Sequence, residues 1–254
     1  MSFVDFLAGE LPVRILVISD IHANLAALEA VLADAAGEWE QMWCLGDVIG
    51  YGPDPNECVA LVRSYNPVCL SGNHDWAILG KLPVEEFNPE AQTAILWTRR
   101  QLTEESRAYL DNLPPLLVHP PFTLAHASPR QPIWEYVTDG ETAAANFAHF
   151  ETPYCLVGHS HVPIIFQQVN PTRLAVYRPV YQQPVFLGDL RLIINPGSVG
   201  QPRDSDPRAA YALLDTDELT WEYRRVEYPV ATTQAKMRQA GLPYRLIARL
   251  EVGW

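Results

Sequence analysis

Five short clusters in this chain carry side chains suited to holding metal ions: Asp20-Ile21-His22, Gly46-Asp47, Gly72-Asn73-His74-Asp75, His126, and Gly158-His159-Ser160-His161. They gather five of the seven histidines, leaving only His119 and His149 outside. The donors are carboxylate, imidazole and carboxamide, with no thiolate. That set suits Mn, Fe, Zn, Co or Ni better than Mg or Ca. Four of the histidines with Asp20, Asp47 and Asn73 are too many for one ion. They match two ions that share a bridging carboxylate and keep open positions. Such a pair clamps the attacking and leaving oxygens of an in-line displacement at phosphorus.

Each cluster follows an apolar run, so strands must deliver them. Val13–Ser19, Gln41–Leu45 and Val68–Leu70 read as strands, with helices at Leu25–Leu32, where Asn24 is a suitable N-cap, and at Asn56–Arg63. This βαβαβ order predicts a parallel sheet with its ligands at the carboxyl ends of the strands. Where extended geometry persists, residues i and i+2 share a face, so Asp20 with His22, and His159 with His161, could each aim at one place. Segment 89–112 reads as helical, and its first part could lean over a site. Beyond residue 115, Phe122–Ala125 and Tyr154–Val157 each run into a histidine. Further strands are expected at 163–169, 173–178, 190–194, 211–214 and 219–226, and closing helices at 230–240 and 244–250. The fold class expected is α/β: a four-layer α/β/β/α sandwich of two packed mixed sheets flanked by helices. With no internal repeat and no Gly/Ser-rich linker, residues 1–254 read as one domain.

The formal net charge of −12 argues against non-specific nucleic-acid binding. A phosphate substrate then needs a local source of positive charge, which a metal pair supplies. No apolar run approaches the roughly 20 residues of a membrane span, and Met1–Phe6 lacks the basic region of a secretory signal. The four cysteines form no CxxC pair, and Cys44, Cys69 and Cys155 sit in strand-like runs as buried thiols. A reducing cytoplasm is the expected location.

In order, D-x-H, G-D, G-N-H-D, H and G-H-x-H resemble the motifs of the calcineurin-like metallophosphoesterase superfamily. The flanking Gly46–Pro53 and Asn195–Asp204 are similar to its small single-domain bacterial and archaeal branch. The resemblance implies that Asp20, His22 and His161 hold the first metal, that Asp47 bridges, and that Asn73, His126 and His159 hold the second. Mn or Fe leads among the metals, with Zn, Ni or Co also fitting. Metal-bound hydroxide would be the nucleophile, so no serine or cysteine nucleophile is required. His74 would act as general acid, oriented by Asp75. The substrate implied is a small phosphodiester or nucleotide. A phosphoprotein Ser/Thr phosphatase and a non-catalytic interaction scaffold of the same fold are the rival functions, and His74 argues against the scaffold.

Several residues keep two readings. His126 is preferred to His119 because it ends an apolar strand, whereas His119 precedes two prolines. Asp75 either orients His74 or caps a helix at Trp76–Leu79. Arg203 either binds a substrate phosphate, beside Asn73, or pairs with Asp204 or Asp206. Asn195–Ser198 is either a turn shaped by Gly197 or a turn packed beside the metals. Arg130, Trp134 and Tyr136 either wall a pocket or pack as core and lid, and Tyr51 is similarly open. Trp39 and Trp43 are expected in the core.

Overall fold

The protein is described by a computed structural model over residues 14–170 and 173–254. Its first strand, β1 (Arg14–Ile18), shows how the layers arise. Side chains alternate across a strand. Ile15 and Val17 point into a cluster shared with the other sheet, while Leu16 and Ile18 face the helices. All four are fully buried. Val13, expected to begin this strand, and Met1–Phe6 lie outside the described residues.

The chain continues through α1 (Leu25–Asp34), β2 (Gln41–Cys44), α2 (Pro55–Ser64), β3 (Val68–Cys69), α3 (Asn73–Leu79), α4 (Pro89–Gln101) and α5 (Glu104–Asp111). Next come β4 (Leu116–His119), β5 (Phe122–Ala125), α6 (Gly140–Asn146), β6 (Tyr154–Val157), β7 (Ile164–Asn170), β8 (Arg173–Tyr177), β9 (Val185–Phe186) and β10 (Arg191–Asn195). The described chain closes with β11 (Ala209–Asp215), β12 (Thr220–Val226), α7 (Val230–Gln239) and α8 (Tyr244–Ala248), the last continued by a single 3-10 turn at Arg249–Glu251.

Two six-stranded sheets result, in the orders β3-β2-β1-β11-β12-β9 and β4-β5-β6-β10-β7-β8. The expected parallel pairing of β1, β2 and β3 is present, and antiparallel β11, β12 and β9 make that sheet mixed. In the second sheet β5, β6 and β10 run parallel, with antiparallel neighbours outside. The inner faces meet in a core that includes Trp43, Phe122, Leu156, Ile194 and Trp221. Helices α1, α2, α4, α7 and α8 cover the outer face of the first sheet. Ala143 of α6, with Phe147 and Phe150, covers Cys155, Val157 and Ile193 of the second. Each large aliphatic side chain so buried stabilises the fold by about 1.5–3 kcal/mol relative to exposure.

Three elements were not expected from the sequence: β4, the two-residue β9, and α6. A fourth begins earlier than expected. Helix α3 starts at Asn73 rather than Trp76, so G-N-H-D forms its first turn. Trp43 is core, whereas Trp39 is half-buried at the edge against Tyr65. No helix among the described residues is long and apolar enough to cross a membrane.

Candidate metal centre

The parallel strands β1, β2, β3, β5 and β6 all end at one place, where the two sheets meet. Loops from those ends bring together two buried groups able to hold a metal ion: Asp20, His22 and His161 in one, and Asp47, His126 and His159 in the other. In each, one donor atom per residue lies within 4.8 Å of the other two. His22 Nε2 and His161 Nε2 are 3.1 Å apart, and His161 Nε2 is 3.3 Å from Asp20 Oδ1. Asp47 Oδ2 sits between the groups, 3.5 Å from His22 Nε2 and 3.6 Å from His126 Nε2. Asn73 Oδ1 is 3.2 Å from His126 Nε2. Donors bound to an ion at about 2.1 Å lie roughly 3 Å apart at right angles and roughly 3.4 Å apart in a tetrahedron. The observed separations match that spacing.

The convergence does not come from strand alternation. Asp20, His22, Asp47, His159 and His161 all have left-handed backbones, with φ of 54°, 49°, 52°, 61° and 61°. This corrects the i, i+2 expectation. Asp20 and His22 share a group by turning, and His159 and His161 separate into different groups. Five non-glycine residues at positive φ cost about 1–3 kcal/mol each. The neighbouring structure holds them there. Backbone bonds from His22 N to Asp47 O (2.9 Å) and from Asp20 N to Gly46 O (3.0 Å) lock the first two loops together. Ser198 Oγ donates to Asp20 O, and Asn195 Nδ2 donates to Gly158 O and Ser160 Oγ. The Asn195–Ser198 turn is therefore both a shaped turn, with Gly197 at φ 89°, and a clamp on two ligand loops.

Glycine is required at Gly72 for closeness rather than for its dihedral. A Cβ there would lie 2.0 Å from Asp47 Oδ1. Gly72→Ala is expected to displace Asp47 and lower bound metal by about tenfold or more in affinity, the scale of disturbing a ligand's support. Metal titration followed by calorimetry checks it, and unchanged affinity would refute the steric argument.

The second ring nitrogens set which lone pairs face inward. His126 Nδ1 is 2.9 Å from Leu45 O, His161 Nδ1 is 2.6 Å from Gln201 O, and His159 Nε2 is 3.3 Å from Trp134 O. Each carbonyl can only accept, so in the neutral ring the other nitrogen turns a lone pair toward the groups. Asp20 Oδ1 and Asp47 Oδ2 are buried there with no hydrogen-bond partner. Burial raises the Asp20 carboxyl to about 7, and burial with the nearby Asp75 charge pushes Asp47 well above the carboxylate range. Burial likewise lowers His22, His159 and His161 well below the usual histidine value. Buried carboxylates and imidazole lone pairs that face one another are costly without a proton or a cation between them, and a metal ion satisfies them all at once. The residues present therefore fit metal ions.

His74 lies against this centre, its ring 5.0 Å from His22, 4.2 Å from Tyr51 and 5.1 Å from Phe87. Its Nδ1 has no hydrogen-bond partner, and its backbone N–H donates to Asp47 Oδ1 at 2.9 Å. Burial, then the Arg203 and His126 charges, lower its pKa well below the usual value. Asp75 makes no hydrogen bond to His74. Its carboxylate instead accepts from the backbone N–H groups of Val48, Ile49 and Gly72, because it sits at the third position of α3 facing the loop after β2. The bond from Gly72 N–H caps the start of α3, as the capping reading expected, although that helix begins at Asn73; the bonds from Val48 and Ile49 add a tie between the Asp47 loop and the helix bearing Asn73 and His74.

Arg203 pairs with neither Asp204 nor Asp206, which bind Arg225 and Arg208. Its Nη2 donates to Gln201 Oε1 at 2.9 Å, its guanidinium lies 5.9 Å from the Tyr51 ring, and its buried Nε has no partner. It faces a cavity of about 360 Å³ that Tyr51 and Tyr136 also line. Tyr136 stacks on His159 at 3.9 Å and Tyr51 packs 4.7 Å from His22, so a residue of the cavity wall touches each group. Arg130 is not on this wall, since it forms an ion pair with Glu135. Trp134 is half-buried against Phe87, just before the start of α4, which reaches the cavity at Asn88 and Glu90. His119 packs beside Trp43, away from the centre, and His149 is exposed. Reading the sequence missed Arg245 and Arg249, which line the same cavity from the far end of the chain. No local motif marks them.

Residues 13–219 match the calcineurin-like phosphoesterase superfamily domain, and the chain belongs to that superfamily. The particular relatives are informative in different ways. A crystal structure of a metallophosphoesterase from Sphaerobacter thermophilus is 48% identical, with a TM-score of 0.88 and coverage of 96% of this chain and 100% of that one. An uncharacterized protein of Methanocaldococcus jannaschii is 38% identical over 247 residues, 94% of this chain and 98% of its own. A symmetrical bis(5'-nucleosyl)-tetraphosphatase of Pectobacterium atrosepticum is 32% identical over 100 residues, only 33% of this chain and 36% of its own. The chain is a phosphate-ester hydrolase of the metallophosphoesterase type.

Proposed function

We propose that this hydrolase holds two transition-metal ions and cleaves a small phosphodiester or nucleotide phosphate. The position of Asp47 Oδ2 carries the reading, because it lies within 3.6 Å of a histidine nitrogen in each group. Asp20, His22 and His161 would hold one ion, Asn73, His126 and His159 the other, and Asp47 would serve both. The donor set suits Mn or Fe, and also Zn, Ni or Co. When bound, such ions stabilise phosphoryl charge and activate water.

The chain's own residues do the rest. His74, held by Tyr51 and Phe87, delivers a proton to the leaving oxygen. An anionic substrate beside it raises the imidazole's proton affinity, offsetting the burial that lowers it. Arg203 offers its unpartnered Nε to a non-reacting phosphoryl oxygen. The partial match to a bis(5'-nucleosyl)-tetraphosphatase supports a nucleotide substrate. Four buried free cysteines are compatible with a reducing, cytoplasmic setting.

Protein reconstituted with Mn is expected to hydrolyse bis(4-nitrophenyl) phosphate, and chelator should abolish the activity. The reading fails if protein shown to carry two ions turns over no phosphate ester, or if turnover survives complete metal removal.

A further inference from the structure

Three guanidinium groups converge on the cavity beside the metal centre, in a chain whose formal net charge is −12. Arg203 comes from the loop after β10. Arg245 lies in α8, and Arg249 lies in the 3-10 turn that continues it, four residues on. That spacing sets the two on one helical face. Both lie beyond residue 219, where the superfamily match ends.

Counter-charge is sparse. Among the described residues Arg203 forms no ion pair, and its Nε has no partner. Arg249 Nε donates to the Trp254 backbone oxygen. Arg245 makes only a 3.6 Å contact with Glu90, and its side chain is 78% exposed. Burial, and then the Arg203 charge, pull Arg249 down to about 10. Crowded cations with few carboxylates nearby favour a bound polyanion. The cavity, about 360 Å³, falls within the range of small-ligand sites. Its walls add aromatic surface, with Tyr136 47% and Trp254 69% exposed.

We propose that Arg245 and Arg249 form a subsite for the phosphates beyond the one being cleaved, so the preferred substrate is a nucleoside polyphosphate rather than a singly charged diester. This rests on the phosphoesterase reading above. In that reading water oxygen bonds to phosphorus, the bond to the bridging oxygen breaks, and the departing group leaves with that electron pair and takes up a proton. Arg203 serves the phosphate at the centre, the α8 pair serves the next ones outward, and the exposed aromatic rings offer a face to a base.

The test compares kcat/KM for diadenosine tetraphosphate and for bis(4-nitrophenyl) phosphate in Mn-loaded parent, Arg249→Ala and Arg245→Glu proteins. The parent is expected to prefer the polyphosphate. Each substitution should lower the ratio of the two kcat/KM values by about tenfold or more, mainly through KM for the polyphosphate. Arg245→Glu guards against misfolding, because that side chain is exposed and Arg249 also braces the backbone. A ratio unchanged within about twofold in both variants would overturn the subsite. Hydrolysis of the diester without any hydrolysis of the polyphosphate overturns it too, while leaving the phosphoesterase reading intact. Absence of metal-dependent hydrolysis of the diester by the parent overturns the phosphoesterase reading, and with it this one.

Discussion

Asp47→Ala is expected to yield a folded protein that retains neither ion and loses at least about 10³-fold in activity, since metal-ion stabilisation of phosphoryl charge is worth several kcal/mol. The reason is position. Asp47 Oδ2 contacts a histidine of each group, at 3.5 and 3.6 Å, while Oδ1 accepts the His74 backbone N–H. Removing one side chain therefore disturbs both ions and the start of α3. Asp47→Asn separates the effects, because it keeps the shape and removes the charge. Without metal, Asp47 Oδ2 is a buried oxygen with no partner, so metal-free Asp47→Asn, which keeps an oxygen for the His74 N–H, should melt no lower than the metal-free parent. With metal, the parent should melt above both. Elemental analysis with thermal melts decides the matter. Two ions per chain in Asp47→Ala would remove the bridge from the account.

His74→Ala is the second large effect, and it should be selective. The ring contacts Tyr51, His22 and Phe87, and it belongs to neither group of candidate ligands. Metal content is accordingly expected to stay at the parent level. Loss of a general acid slows reactions by about 10²–10⁴-fold where the leaving oxygen is basic, and much less where it departs easily. A pair of thymidine 5'-phosphodiesters, one with a methoxide and one with a 4-nitrophenoxide leaving group, makes the comparison. The methyl ester should lose most of its turnover and the nitrophenyl ester little. Equal loss on both, or loss of bound metal, would assign His74 to structure instead.

Sequence and structure agree most closely where a strand ends in a ligand. Val-Ile-Ser-Asp at the end of β1 and Leu-Val-Gly-His at the end of β6 join an apolar run to a polar donor, and that junction is local. The layered architecture was equally legible, since β1 and β6 are unbroken apolar runs of the kind buried on both faces. Other features depend on distance along the chain. The left-handed turns at Asp20, His22, Asp47, His159 and His161 use residue types that tolerate that region, but bonds between loops hold them there. Asp75 looked like a partner for its neighbour His74, but its carboxylate is claimed by three amides across a gap of up to 27 residues. Strand β4 is hidden between Pro114-Pro115 and Pro120-Pro121, and β9 is too short to show a period. Arg245 and Arg249 reach the cavity beside the centre because α7 and α8 fold back over the first sheet.

The seam between the sheets has a mechanical consequence. Asp20 and His22 hang from the first sheet and His161 from the second, and Asp47 likewise faces His126 and His159. Either ion would join two layers that otherwise meet through apolar packing and hydrogen bonds such as those from Tyr223 Oη to Ile164 O and Asn195 O. His22 and His161 are 139 positions apart, so one ion would close a loop of more than half the chain, and the second would fasten the same seam beside it. Two ions at this place would act as a pair of rivets through the sandwich. Loading the site for chemistry would thereby stiffen the whole protein.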